Sequence, residues 1–211
     1  MKVTNVKSFE DSRWASFRQS VEFRHTAALE LIKEGPVLDI GCGDGLFMDM
    51  LRTKGIKAVG VDISDEAVKA CTTQGLYAEA VASADSLPFP DASFECVVML
   101  DILEHVYNPV LFLAEARRVS KKYVIVGVPN FSSLPARIQT LCGRVPENNR
   151  PKKGHVYWFN YAVLMSLAKQ TALTPGRLKM NTFSPFTVMN DWVTHIWPNL
   201  FALSFVLELQ K

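Results

Sequence analysis

Three glycines and two carboxylates, set where apolar runs stop, are the residues of this chain best spaced for chemistry. Val37-Leu38-Asp39-Ile40 leads into Gly41-Cys42-Gly43-Asp44-Gly45, and a second run, Val59-Gly60-Val61, ends in Asp62 and Ile63. Glycines let the backbone turn sharply and approach a ligand closely, and a helix that starts there offers free N–H groups. A carboxylate at the end of the next strand is placed to accept hydrogen bonds from two ribose hydroxyls. That combination builds a nucleotide-type cofactor site. The plainer reading of Asp62 is a charge favoured by the dipole of the helix that follows. Dinucleotide sites carry G-x-G-x-x-G, whereas Gly41, Gly43 and Gly45 read G-x-G-x-G with Asp39 two residues ahead. Beyond a later apolar run stand Asp101, Glu104 and His105, two carboxylates beside the side chain that titrates closest to neutrality.

The elements that must position these groups follow from periodicity. Apolar runs at 37–40, 58–61, 77–81, 95–100 and 123–128 predict strands, and three-to-four spacing at 46–53, 66–72 and 110–119 predicts helices between them. Strands that are apolar on both sides, such as Val124-Ile125-Val126, fit a parallel sheet covered by helices on both faces. Ser64 is placed to cap the helix behind Asp62. Trp14, Phe17, Val21, Ala28 and Ile32 recur at helical spacing, so residues 1–34 form one or two helices ahead of the core at 35–128. Residues 129–159, rich in proline, glycine and basic side chains, read as an insertion. Residues 160–211 supply a helix at 161–171 and strand-like segments at 176–183 and 201–209, the whole forming a single domain.

With 211 residues, 48% of them hydrophobic, and a formal charge of +2, the chain has the composition of a soluble globular domain and no electrostatic bias toward nucleic acid. The first residues lack the apolar run of a signal peptide, and no stretch reaches the roughly 18 apolar residues of a membrane span, so a cytoplasmic location is expected. Cys42, Cys71, Cys96 and Cys142 form no C-x-x-C pair and read as reduced thiols filling space. The basic stretch Arg137, Arg144, Arg150, Lys152, Lys153 and His155 reads first as a solvated loop, and second as a lid attracting an anionic reactant.

The run from Asp39 to Gly45, with Asp62, resembles the cofactor motif of the class I S-adenosylmethionine (SAM)-dependent methyltransferases. Ala82-Ser83-Ala84-Asp85-Ser86-Leu87-Pro88-Phe89 is similar to a further signature of that superfamily, with Ser83 standing where an acid contacts the adenine amino group. Leu100-Asp101-Ile102-Leu103-Glu104-His105 resembles the ubiquinone-type O-methyltransferases. Val128-Pro129-Asn130-Phe131 with His155 and Phe159 resembles a neighbouring branch that includes MetW proteins. The resemblance implies an α/β three-layer sandwich with a seven-stranded, mostly parallel sheet of order 3-2-1-4-5-7-6, its last strand antiparallel, with N-terminal helices and insertions over the cofactor end.

It also implies SAM as cofactor and S-adenosylhomocysteine as product, bound by Asp39, Gly41, Cys42, Gly43, Asp62, Ile63, Ser83, Ala84, Leu87 and Leu100. Methyl transfer from a sulfonium is a one-step in-line displacement, so aligning the acceptor does much of the work. An acceptor that must lose a proton needs a base, and His105, Glu104 and Asp101 are the catalytic residues expected. Asp101, Glu104 and His105 could also hold a divalent ion, as related quinone O-methyltransferases imply, but the plainer reading, a helix start before Asn108-Pro109, sets the expectation at no metal. The acceptor expected is a small molecule, methylated on oxygen or else carbon, since the [DN]-P-P-[YF] of nitrogen methylation is missing after the fourth strand. Either a monomer or a homodimer fits. Two rivals stay open: a nicotinamide dehydrogenase, disfavoured by the glycine spacing, and a SAM-binding, MetW-like partner subunit with little or no methyl transfer of its own. As a roof over the methyl group, the N-terminal helices, residues 129–158 and the stretch from Trp192 to Trp197 are expected to act together.

Overall fold

The computed structural model describes residues 6–150, 153–183 and 196–211. Strands β1 (Val37–Ile40), β2 (Ala58–Asp62), β3 (Ala78–Ala80), β4 (Phe94–Leu100), β5 (Ser120–Pro129), β6 (Thr174–Thr182) and β7 (Ala202–Gln210) form one sheet of order β3-β2-β1-β4-β5-β7-β6. The first five pair in parallel, while β7 runs antiparallel to both β5 and β6. The expected topology is the one observed.

Parallel neighbours need crossovers, and α3 (Leu46–Thr53), α4 (Asp65–Thr73) and α5 (Pro109–Val119) supply them. Alternate residues of each central strand go to opposite faces, which is why these strands are apolar throughout. Leu38, Ile40, Val124 and Val126 pack with Leu113 and Ala116 of α5 and with Leu164 and Leu167 of α7 (Tyr161–Gln170). Val37, Val98 and Ile125 face the other way, against Ala28 and Leu31 of α2 (Phe23–Leu31) and Phe47 and Leu51 of α3. Ser64 caps α4 by accepting from Ala67 N–H at 3.2 Å. Glu22 and His25 close α2 reciprocally; Glu22 N–H donates to His25 Nδ1 at 3.0 Å, and burial pushes the pKa of that imidazole down to about 4.

Differences from expectation sit at edges and in the insertion. β3 is shorter than 77–81 because it lies at the sheet edge, where Tyr77 is exposed. The N-terminal segment is two helices, α1 (Val6–Trp14) and α2. Residues 129–159 hold α6 (Leu134–Leu141), a helix that was not expected, and a 3-10 turn, Glu147–Asn149. Helix α6 buries none of its residues, so no apolar stripe announces it. Cys142 is exposed, against the space-filling reading, whereas Cys42, Cys71 and Cys96 are buried. Among the described residues, no helix is long and apolar enough to cross a membrane.

Candidate active site

Strand order reverses between β1 and β4, and in such sheets ligands bind outside the carboxyl ends of the strands at that point. A cavity of 1350 Å³ lies there. Its floor comes from the strand ends: Gly41 after β1, Asp62 and Ile63 at the end of β2, Ser83 and Ala84 after β3, and Leu100, Asp101, Ile102, Glu104 and His105 at the end of β4 and just beyond it. Its roof comes from α1, the segment leading into α2, and α6 with the turn that follows, through residues such as Trp14, Arg24, Pro135 and Asn148. Two of the three expected roof segments therefore meet over the strand ends. In the third, Trp192 lies outside the described residues, and Trp197 is exposed and away from the lining.

Asp62 is buried and its two oxygens are anchored by the backbone: Oδ2 accepts from Gly43 N–H and Oδ1 from Ser64 N–H, each at 2.9 Å. It ties the glycine loop to the start of α4, and each oxygen keeps lone-pair capacity toward the cavity. Burial nonetheless raises its pKa, with the Ser64 and Gly43 amides pulling the other way. Asp39, beneath it, is raised to about 7 by burial and by the charge of Asp62. Two buried carboxylates under one loop make a place that favours positive charge.

Gly41 and Gly43 have φ of +74° and +56°, which side-chain-bearing residues rarely adopt. A Cβ on Gly41 would lie 2.1 Å from Ile102 Cδ1, and one on Gly43 would lie 2.4 Å from the Trp14 ring. Trp14 therefore seats α1 directly on the loop. Gln19 N–H adds a hydrogen bond to Asp44 Oδ2 at 2.9 Å, so the roof is clasped to the loop at two points. Gly43→Ala is expected to destabilise the fold by about 1–2 kcal/mol through its backbone alone, and further through the ring. Trp14→Ala should relieve only the second part. A double-mutant cycle by denaturant unfolding should show coupling of roughly 0.5–3 kcal/mol, and strict additivity would mean that Trp14 does not bear on the loop.

Other expected cofactor residues divide. Ile63, Ser83, Ala84 and Leu100 line the cavity. Cys42 turns its side chain away, its Sγ 3.9 Å from Cys71 Sγ in a buried cluster with Met48, so only its backbone is near the loop's ligand side. Leu87 is not in the lining either; it is buried in the core, and its N–H donates to Glu115 Oε1 at 2.7 Å.

Beyond β4, Asp101, Glu104 and His105 all reach the cavity wall. Asp101 adopts φ +54° and pairs with Arg24 Nη1 at 3.1 Å. Glu104 is 1% exposed, its pKa held well above the carboxylate range by burial and by Asp101. His105 is brought down to about 4 by burial and by His155. Its Nδ1 lies 3.3 Å from the carbonyl oxygen of Gly154, so that carbonyl orients the ring. His155, read from the sequence as part of a solvated basic loop, stands with its ring centroid 4.9 Å from that of His105. Of the basic stretch, Lys153 and His155 line the cavity, while Arg150 pairs with Glu147 at 2.7 Å. Arg13, Trp14, Arg24 and Asp85 also line it and were missed as site residues; the apolar repeat that included Trp14 signals a helix but not what the helix covers.

The sheet order, the glycine loop and the strand-end carboxylate together define the Rossmann-like fold of the class I SAM-dependent methyltransferases. Within it, residues 23–208 match the family model described as "Methionine biosynthesis protein MetW", and the chain belongs to that family. An uncharacterised protein of Methanocaldococcus jannaschii is 30% identical over 131 residues, 61% of this chain and 62% of that one. A ubiquinone biosynthesis O-methyltransferase of Maricaulis maris is 35% identical over 92 residues, 40% of this chain and 36% of the enzyme. The chain thus spans less than two thirds of the length of these relatives. Among solved structures, a SAM-dependent methyltransferase from Thermotoga maritima, titled a possible histamine N-methyltransferase, superposes with a TM-score of 0.67 at 23% identity, covering 89% of this chain and 87% of that one. Magnesium protoporphyrin IX methyltransferase from Synechocystis, with bound S-adenosylhomocysteine, gives 0.64 at 16% identity over 98% and 95%. These likenesses concern the fold.

Proposed function

We propose that this protein is a SAM-dependent methyltransferase acting on a small-molecule acceptor, with oxygen favoured over carbon as the methylated atom. One observation carries the reading: the Gly41 loop and Asp62 open onto the same cavity as Glu104 and His105. Pockets for one ligand typically measure about 300–1,000 Å³, so 1350 Å³ has room for a cofactor and a second reactant. The residues also suit the cofactor, since Asp39 and Asp62 favour a cation and SAM carries an ammonium and a sulfonium. SAM supplies, when bound, a methyl group on a good leaving sulfur. Asp62 would take the ribose hydroxyls, the loop amides the amino-acid end, and Ile63 with Ser83 and Ala84 the adenine.

The chain's own work is then to align, to exclude water and to hold a proton. Trp14 and α6 close the cavity from above, which favours an aligned, water-poor encounter. His105 is neutral at pH 7, so its free lone pair is available to the acceptor's proton. Lys153 is the cation of the wall that would meet a carboxylate or phosphate on the acceptor, because Arg24 is already paired with Asp101 and Glu22.

Ile138 and Leu141, exposed on the α6 face turned from the cavity, favour a second reading as the SAM-binding subunit of an assembly. Labelled SAM incubated with fractionated metabolites tests the first. A product that gains the label supports the enzyme; S-adenosylhomocysteine binding with no labelled product from any fraction supports the subunit.

A further inference from the structure

Glu104 has a buried carboxylate oxygen, Oε2, without a hydrogen-bond partner among the described residues. Buried polar atoms are nearly always paired, so an orphan on a residue of the cavity lining calls for a partner. Two imidazoles stand beside it. His155 Nε2 is 4.0 Å from Glu104 Oε1. Its Nδ1 is 2.8 Å from the carbonyl oxygen of Asn148, just as His105 Nδ1 is 3.3 Å from that of Gly154. A carbonyl only accepts, so each Nδ1 carries the hydrogen and each Nε2 keeps its lone pair. One ligand atom from each of Glu104, His105 and His155 lies within 4.8 Å of the other two.

We propose that Glu104, His105 and His155 form a binding site for a first-row divalent cation, Mn²⁺ or Zn²⁺, with coordination positions left open toward the cavity. Two imidazoles and one carboxylate are a donor set such ions accept while keeping positions for solvent or substrate. Metal-ligating histidines characteristically donate their other N–H to a carbonyl or carboxylate, and both rings here do so. Bonds of about 2.0–2.1 Å place tetrahedral ligand atoms about 3.3 Å apart, so the side chains draw in by roughly an ångström.

The two segments that carry the ligands are already joined, because Val156 N–H and Tyr157 N–H donate to the Glu104 carbonyl at 2.8 and 3.1 Å. Asp101 stands apart, its carboxylate engaged by Arg24. A cation would occupy the lone pair of His105, and it would acidify a bound acceptor hydroxyl in place of proton transfer to the ring. That consequence rests on the methyltransferase reading; the site itself does not.

The test is Mn²⁺ titration of the chelator-treated full chain, with free ion followed by electron paramagnetic resonance and Zn²⁺ by calorimetry. One ion per chain is expected. His155→Gln and Glu104→Gln should each weaken binding more than about 100-fold, beyond the 10–100-fold typical of losing an outer partner, while Asp101→Asn stays within about threefold. Should Glu104→Gln not fold, His155→Gln decides alone. Absence of one-to-one binding by either ion, or unchanged affinity in His155→Gln, overturns the proposal. S-adenosylhomocysteine calorimetry run alongside separates the readings, since its failure with Mn²⁺ binding intact removes the cofactor assignment and leaves the metal site.

Discussion

Asp62→Ala is expected to weaken S-adenosylhomocysteine binding by about 10²–10⁴-fold, the equivalent of two hydrogen bonds to a charged group at about 1.5–3 kcal/mol each. The carboxylate serves two sides at once. Its anchors, Gly43 N–H and Ser64 N–H, fix where the loop lies, and in the proposed complex its remaining lone pairs meet the ligand. Alanine would strand both amides in a buried place, so the melting temperature should fall together with affinity. Calorimetry on protein shown to be folded by circular dichroism is the check. A folded Asp62→Ala protein that binds S-adenosylhomocysteine as the wild type does would remove the ribose assignment.

His105→Ala should lower kcat by about 10²–10⁴-fold, the usual worth of a positioned acid or base, while S-adenosylhomocysteine affinity stays close to that of the wild type. The ring sits at the end of β4, away from the glycine loop, with its orientation set by Gly154. Its folded-state pKa of about 4 lies below the ordinary 6.5, so the neutral, lone-pair-bearing form prevails at physiological pH. Acid should therefore cost activity only as pH falls toward 4, and that limb should be missing from the residual activity of the variant. Loss of kcat is expected whether the lone pair takes the proton itself or holds a cation, and chelation separates the two. Equal losses of kcat and cofactor affinity would mean that His105 supports the fold and takes no part in the chemistry.

The glycine loop and the strand-end carboxylate were legible because their requirements are local. A strand, a turn that needs φ above zero and a strand-end carboxylate lie within a short span, and each leaves a mark on residue type: Val37 to Ile40, Gly41 and Gly43, Asp62. The sheet order could be expected for the same reason, since strands buried on both faces and alternating with amphipathic helices have few ways to pack.

What only the tertiary structure decided is which distant side chains meet. Leu87 carries the apolar side chain of a cavity residue, yet packing against α5 takes it into the core; Cys42 turns to Cys71 because the loop's inner side is closed by α3 and α4. Arg24 reaches Asp101 from a helix that precedes the whole sheet. His155, 50 residues beyond His105 in the chain, comes to its ring only because backbone hydrogen bonds lay the segment before α7 along the turn after β4. Residue type and spacing record the dihedrals and burial that a position requires of itself. They carry no record of a partner brought in by the chain's path, such as the His155 that meets His105 or the Arg24 that meets Asp101.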